Sequence, residues 1–203
     1  MVAGLQLQCP DKNVSPSLHI LDWMKRTPYC ELVGSLNYLA VATHPDISFA
    51  VGHLSSFLDC YRQEHWQAAI HVLRYIKGTH TLSLSLGGSS PPCLVGYSDL
   101  DFTNCLDTSR SISGYCFSLG SGTISWSSKQ QKHAANSFCY AEYIALHHAS
   151  KELLFLRSLL DDLGYAYSSS TLLHCDNDAA HLLTEDPLNY ANVKHFQVKY
   201  HII

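Results

Sequence analysis

The chain has 203 residues and a mass of 22.6 kDa, enough for one large domain or two small ones. Because 46% of the residues are hydrophobic and only 15% are charged, the composition excludes an intrinsically disordered chain. The net charge of −4 excludes a protein that is basic throughout, although a local basic patch remains compatible with it. No apolar run approaches the roughly 20 residues that span a bilayer, so no membrane contact is expected.

The eight cysteines are dispersed along the chain. No two of them are closer than eleven residues and no Cys-x-x-Cys pair occurs, so the paired ligands of a structural zinc site are missing. The first ten residues do not combine a basic segment with an apolar one, and no signal peptide is predicted. We therefore expect the cysteines to be reduced and buried.

Glycine, proline and serine mark the boundaries of four regions. Residues 1–27 are polar and are interpreted as a poorly ordered lead-in with a short element around Leu18–Met24. Residues 28–86 form a helical region. Residues 87–92 read Gly-Gly-Ser-Ser-Pro-Pro and form a linker, because glycines and prolines end regular structure. Residues 93–203 mix strand and helix patterns.

Apolar spacing predicts a small unit of three helices in the helical region: Glu31–Ala42, Asp46–Asp59 and Glu64–Lys77. The first two helices are separated at His44-Pro45, because the residue before a proline is kept out of the helical conformation. The third helix presents one apolar stripe, formed by Trp66, Ala69, Ile70, Leu73 and Ile76.

The region from residue 93 onwards predicts an α/β fold. Four strands and two helices are expected, in the order Cys93–Asp99, Ser113–Leu119, Thr123–Ser128, a helix from Tyr140 or Ala141 to Leu163, Leu172–Asp176, and a helix over Asn177–Thr184. The glycines at 120 and 122 join the second and third strands as a hairpin. The long helix lets the first and last strands lie parallel and adjacent through a right-handed crossover.

Three carboxylates in this region are candidates for chemistry. Asp99 and Asp176 each end a predicted strand, and parallel neighbours open on the same edge of a sheet. Glu142 lies in the first turn predicted for the long helix, from which it can join them. Three converging acids repel one another unless a cation lies between them, and carboxylate ligands suit Mg²⁺ or Mn²⁺. Two such ions can hold the attacking and leaving oxygens of a phosphodiester.

A structural role is the alternative for each of these acids. A strand-terminal aspartate commonly forms a turn or caps the next helix, and Asp176-Asn177 would cap a following helix well. An acid in the first turn of a helix complements the helix dipole, as Glu142 would. Spacing alone leaves both interpretations open.

Other catalytic classes lack their motifs. The chain contains no Gly-x-Ser-x-Gly element of the kind that presents a nucleophilic serine. It also contains no phosphate-binding loop and no dinucleotide fingerprint, since the glycines near residue 120 lie between strands and predict a turn.

A series of short motifs resembles the C-terminal region of the Pol polyprotein of copia-type retrotransposons. Two stretches are similar to the segment that follows the palm of the reverse transcriptase and to the end of the same region: Leu32–Leu39 with His44–Ile47, and Leu73–Thr79. The others follow in the order of that family's ribonuclease H domain: Gly96–Asp99, Arg110–Tyr115, Ile124–Trp126, Ala141–Tyr143, Cys175–Asn177 and Lys194-His195. The resemblance covers roughly residues 28–203, and the order of so many motifs makes it specific.

The resemblance implies a ribonuclease H-like mixed sheet with flanking helices, preceded by a reverse transcriptase thumb or connection. Asp99, Glu142 and Asp176 match the family's first three acids, which would bind two Mg²⁺ or Mn²⁺ ions and cleave the RNA strand of an RNA–DNA hybrid. The rest of a reverse transcriptase polyprotein would be a partner, in the cytoplasm or the nucleus. Possible phosphate contacts in the helical region, where a solvated helix face is the alternative, are Arg62, Arg74 and Lys77.

Departures from the family pattern favour a second interpretation. The palm with its Tyr-x-Asp-Asp motif is not in this chain, so no polymerase activity is expected. Gln197 stands where the family carries an aspartate, Phe138 to Tyr140 replace its small hydroxyl residues and a glutamate, and the chain stops at Ile203 before a further strand. The alternative is therefore a truncated, non-catalytic transposon remnant that at most binds nucleic acid or a polyprotein partner.

Overall fold

The chain divides into two compact units, each with a hydrophobic core of its own. The computed structural model describes residues 7–10, 17–87, 93–101, 110–132, 137–165 and 170–176. The first unit comprises Met1–Leu84 and the second Ser85–Ile203. The helix predicted over residues 177–184 lies outside the described residues.

The described part of the first unit contains four α-helices rather than the predicted three. They are α1 Leu18–Arg26, α2 Tyr29–Ala42, α3 Ser48–Ser55 and α4 Gln63–Gly78, with a single 3₁₀ turn over Pro45–Ile47 before α3. The additional helix, α1, lies in the region interpreted as a lead-in, where a short element around Leu18–Met24 is predicted. It begins where the Ser17 hydroxyl accepts a hydrogen bond from the Ile20 N–H, and Trp23 and Met24 pack against the core.

Two stacked tyrosines hold the first unit together. The rings of Tyr29 and Tyr61 are 4.5 Å apart, and the Tyr29 hydroxyl donates to the Leu54 carbonyl at 2.9 Å. The Tyr61 hydroxyl donates to the carbonyl of Met24 at the end of α1. Because each hydroxyl satisfies a backbone carbonyl, these aromatic side chains are buried without an orphaned polar atom. They connect α1, α2 and α3.

The buried face of α4 is rotated from the predicted stripe. Its buried residues are His65, Ala68, Ala69 and Val72, whereas Leu73 is 43% exposed. The rotation of the buried face follows from His65. The predicted stripe did not contain this residue, because the stripe was selected from apolar residues only. The His65 ring packs against Phe57 at 4.3 Å, and its Nδ1 accepts a hydrogen bond from the N–H of Arg62 at the start of the helix. Burial lowers the pKa of His65, which keeps the ring neutral.

The expectation of reduced cysteines is wrong for Cys9 and Cys60, and the expectation of burial is wrong for the other described cysteines. Cys9 and Cys60, 51 positions apart in the sequence, form a disulfide in the first unit, with their Cα atoms 6.0 Å apart. None of the five described free cysteines is fully buried: Cys30 and Cys93 are exposed, and Cys116, Cys139 and Cys175 are half-buried. The pairing depends on the fold, which brings the segment around Cys9 next to the segment between α3 and α4.

The second unit is the mixed α/β fold that the sequence predicts. Its described elements are β1 Leu94–Asp101, β2 Ile112–Leu119, β3 Gly122–Gln130, α5 Phe138–Asp162 and β4 Leu172–Cys175. The four strands have the order β3-β2-β1-β4, with β1 antiparallel to β2 and parallel to β4. The hairpin turns at Gly120, whose φ of +63° suits glycine. The predicted parallel pairing of the first and last strands is confirmed.

One face of α5 packs against the sheet. Near the start of the helix Ala141 and Ala145 contact Leu100 of β1, and their small side chains let the backbone come close. Further along, the helix is buried against β1 and β2 through Ala149, Leu156 and Leu160. Leu163, predicted to belong to this stripe, lies beyond the helix and is 63% exposed. Although α5 has 25 residues, neither it nor any other described helix is apolar enough to cross a membrane.

Gly96 is a close-packed position in the centre of the sheet. A Cβ at this residue would overlap the Phe117 ring and lie 2.7 Å from Leu173 Cδ1, so we expect Gly96→Ala to destabilise the second unit by about 1–3 kcal/mol. Gly114→Ala is the matched control, because a Cβ there would come no closer than 3.7 Å to any atom. For both variants, urea unfolding monitored by hydrogen–deuterium exchange of the strand peptides measures the free energy of unfolding of the second unit. Equal effects would contradict the packing described for Gly96.

Candidate metal centre

The sheet brings the two candidate aspartates to neighbouring positions. In the parallel pair of β1 and β4, Ser98 lies opposite Cys175, and Asp99 and Asp176 are the residues that follow them. Asp99 does not end its strand as predicted, because β1 continues to Asp101. The convergence on one region of the sheet follows from the parallel pairing of β1 and β4, which the sequence predicted.

Glu142 lies in the second turn of α5 rather than in the first. The helix begins at Phe138, because the Ser137 hydroxyl caps it by accepting a hydrogen bond from the Tyr140 N–H at 3.2 Å. No acidic residue occupies the first turn, so the role in complementing the helix dipole that the sequence left open does not apply. Glu142 is instead 1% exposed, on the face that packs against the sheet.

A cluster of three potential metal ligands surrounds the start of α5. One carboxylate oxygen each of Glu142 and Asp176, together with the Cys175 Sγ, all lie within 4.8 Å of one another. The sequence analysis missed Cys175 as a ligand. The alternation along β4 could have indicated it, because Leu173 packs into the core and the residue two positions later leaves the strand on the same face.

Asp99 stands beside this cluster without belonging to it. Its neighbours Ser98 and Leu100 are buried and Asp99 is exposed, so its side chain leaves β1 on the opposite face. The Oδ1 atom of Asp99 accepts a hydrogen bond from the Leu100 N–H at 2.8 Å. Asp99 nevertheless lies close enough for its charge to act on Glu142.

The surroundings of Glu142 disfavour its charged form. Burial is the largest cause, followed by the negative charges of Asp176 and Asp99, and together they raise the pKa of Glu142 to about 7. Its Oε2 is buried and has no hydrogen-bond partner among the described residues. A carboxylate oxygen in this position is costly unless a proton or a cation occupies the space before it. The donor set, which is mostly carboxylate oxygen, suits a divalent cation.

The three cationic residues predicted to contact phosphate lie in the first unit and differ in their surroundings. Arg62 is half-buried, and its Nη1 donates to the carbonyls of Cys60 and Tyr61 at 3.3 and 2.8 Å. Arg74 and Lys77 are exposed on α4, and Arg74 borders a groove that also contains Trp23 and Trp66. The guanidinium of Arg62 is thus engaged within the protein, whereas the other two are accessible.

Two predicted features lie outside the described residues. They are Gln197, at the family's aspartate position, and the Lys194-His195 motif before it. The described part of the site therefore consists of the two carboxylates and the thiol of the cluster, with Asp99 beside them.

Comparisons with known proteins identify the relatives of this chain. No protein-family model matches it, and no solved structure does. The retrovirus-related Pol polyprotein from transposon TNT 1-94 of Nicotiana tabacum is 42% identical over 180 residues, which are 89% of this chain and 13% of that protein. The corresponding polyprotein from transposon RE1 of Arabidopsis thaliana is 38% identical over 93% of this chain and 13% of its own length. The chain thus spans about an eighth of these polyproteins.

A shorter relative matches along nearly its whole length. The secreted RxLR effector protein 161 of Plasmopara viticola is 44% identical over 133 residues, which are 66% of this chain and 94% of that protein. The similarity to the polyproteins covers more of this chain, 89% and 93% of it. The chain therefore belongs to the family of retrovirus-related Pol polyproteins of copia-type retrotransposons.

Proposed function

We propose that the second unit is a ribonuclease H-type endonuclease domain that hydrolyses the RNA strand of RNA–DNA hybrids with the help of Mg²⁺ or Mn²⁺. The observation that carries the proposal is the buried Oε2 of Glu142, which has no described hydrogen-bond partner and lies in a cluster with Asp176. A hydrolase that uses metal-bound carboxylates needs such an oxygen, whereas a structural glutamate would be hydrogen-bonded or exposed. Membership of the Pol family supports the same chemistry.

The residues of the chain have separate roles in this proposal. Glu142 and Asp176 would hold a divalent ion between α5 and β4, and the negative charge of Asp99, which acts on Glu142, would add to the attraction for the cation. Bound metal ions would supply an activated water and stabilise the leaving oxygen of the phosphodiester. The packing of α5 shields Glu142 from water, which strengthens its interaction with a cation. The 2′-hydroxyl groups of the RNA strand would distinguish the hybrid from DNA.

A non-catalytic module is the second candidate function. It is favoured by the position of Asp99 outside the cluster and by the thiol of Cys175 within it. A thiol is a softer ligand than a carboxylate and suits Mg²⁺ poorly. In this case the domain would bind nucleic acid or another part of a polyprotein without cleaving a phosphodiester.

The cleavage assay uses the full chain and a hybrid labelled on the RNA strand, in Mg²⁺ and then in Mn²⁺. We expect cleavage confined to the RNA strand. Glu142→Gln, Asp176→Asn and Asp99→Asn should each reduce it by at least about 100-fold, because residues that only support metal ligands already contribute 10–100-fold.

The control for these variants is Asp161→Asn, which removes one negative charge from an exposed residue at the end of α5. Circular dichroism establishes that each variant is folded. Absence of cleavage by the folded wild-type chain would overturn the proposal in favour of the non-catalytic module. Equal cleavage rates for Asp161→Asn and Glu142→Gln would show that Glu142 is not part of the catalytic site.

The metal-free protein provides a test that does not depend on activity. The pKa of about 7 for Glu142 lies above the ordinary value of 4.5, so between these values the folded state binds more protons than the unfolded state. The free energy of unfolding therefore falls as the pH rises through this window. Because Gln cannot ionise, we expect the Tm of Glu142→Gln to match wild type at pH 5 and to exceed it by roughly 5 °C at pH 8.

Adding MnCl₂ at pH 8 should reverse that difference, because a cation between Glu142 and Asp176 stabilises the wild-type site and not the variant. Differential scanning fluorimetry at pH 5, 6, 7 and 8, with and without MnCl₂, measures both effects. If the Tm difference between wild type and Glu142→Gln stays constant with pH, the raised pKa of Glu142 is contradicted.

A further inference from the structure

A polar cleft lies between α5 and the hairpin of β2 and β3. It has a volume of about 580 Å³ and belongs entirely to the second unit. The hairpin contributes Ser113, Tyr115, Ser127 and Lys129 to its walls, and α5 contributes Ile144 and Lys151. The hairpin wall therefore carries three hydroxyl groups and one cationic side chain.

Positive charge is concentrated in this cleft. The structure describes five lysines and arginines in the second unit, and three of them line it: Lys129, Lys132 and Lys151. All three are exposed, and none forms an ion pair with a described residue. Glu152 is the single acid in the lining, and its carboxylate accepts a hydrogen bond from the Ser125 hydroxyl at 2.6 Å. The cleft is thus positive although the whole chain has a net charge of −4.

A buried glutamine connects the cleft with the carboxylate cluster. Gln131 lines the cleft and is 3% exposed. Its Nε2 donates to the Ser113 hydroxyl at 2.8 Å and to the Ala141 carbonyl at 2.9 Å. Ala141 immediately precedes Glu142 in α5, so one end of the cleft lies next to the candidate metal centre.

We propose that this cleft binds the phosphodiester backbone of a nucleic-acid strand and thereby positions it at the carboxylate cluster. Exposed ammonium groups attract phosphates, and hydroxyl and amide groups between them can donate hydrogen bonds to phosphate oxygens. The spacing of the cationic groups over two elements suits an extended polyanion better than a small one. The nature of the bound strand, an RNA–DNA hybrid, rests on the proposed function. The cleft and its positive charge do not depend on that function.

Binding is measured without metal, so that cleavage plays no part. A fluorescein-labelled RNA–DNA hybrid is titrated with the full chain in EDTA at several salt concentrations. We expect Lys129→Gln, Lys132→Gln and Lys151→Gln each to weaken binding about fivefold, as the loss of one exposed ionic contact does. Each should also reduce the slope of log affinity against log salt by about 0.7–0.9.

The control is Lys25→Gln, which makes the same charge change at an exposed residue of α1 in the first unit. Binding of the wild-type chain to a poly-glutamate peptide of equal charge provides a second comparison. The proposal is supported if only the three cleft variants lose affinity, and if they lose it for nucleic acid and not for poly-glutamate. Failure of the wild-type chain to bind the hybrid, losses equal to that of Lys25→Gln, or an equal effect on poly-glutamate would each overturn it.

The two proposals fail in different ways. Cleavage of the hybrid by a chain whose lysine variants bind like wild type would leave the ribonuclease activity standing and overturn the cleft. Weakened binding of the lysine variants, from a chain that cleaves nothing, would support the cleft and overturn the ribonuclease activity.

Discussion

The packing of α5 against β1 and β2 is the contact on which the second unit depends. Alanines at 141, 145 and 149 let the helix approach the sheet, and the larger residues Leu156 and Leu160 close the other end. This contact removes Glu142 from water and holds it beside β4. Any shift of the helix by one residue would turn Glu142 away from the sheet, because successive side chains on a helix point about 100° apart. The same contact between α5 and the sheet therefore both packs the core and positions Glu142 in the candidate site.

One polar side chain, Gln131, connects the lysine-lined cleft with the start of α5. Glu142 carries a carboxylate that burial and two neighbouring acids make unfavourable to ionise, and no lysine or arginine is described as its partner. The lysines lie in the cleft that Gln131 also lines, and Gln131 donates a hydrogen bond to the Ala141 carbonyl, just before Glu142. A cation placed at the acids and a polyanion placed at the lysines would relieve both imbalances. Electrostatic complementarity of this kind is what a metal-dependent nuclease requires.

Family membership and site geometry constrain the function in different ways. The relationship to Pol polyproteins is shown by identity along about 90% of the chain, yet the chain spans only 13% of those proteins. Fold and function are separable, because the same fold can carry an intact or a degraded site. Cys175 within the cluster and Asp99 beside it are the particular features on which that distinction depends.

The sequence by itself determined the order of the elements, the α/β class, the hairpin and the parallel pairing of β1 with β4. It could do so because these depend on local signals: proline and glycine at breaks, alternation in strands and apolar spacing in helices. It also selected Asp99, Glu142 and Asp176 as candidates, since each lies near the end of an element that the topology directs to one region.

Only the tertiary structure decided which groups lie close together and which are buried. The burial of Glu142 and His65, the disulfide of Cys9 with Cys60 and the gathering of lysines in one cleft all join residues from different elements. Such contacts leave no periodic trace in the sequence, because they depend on the rotation of each helix and the register of each strand.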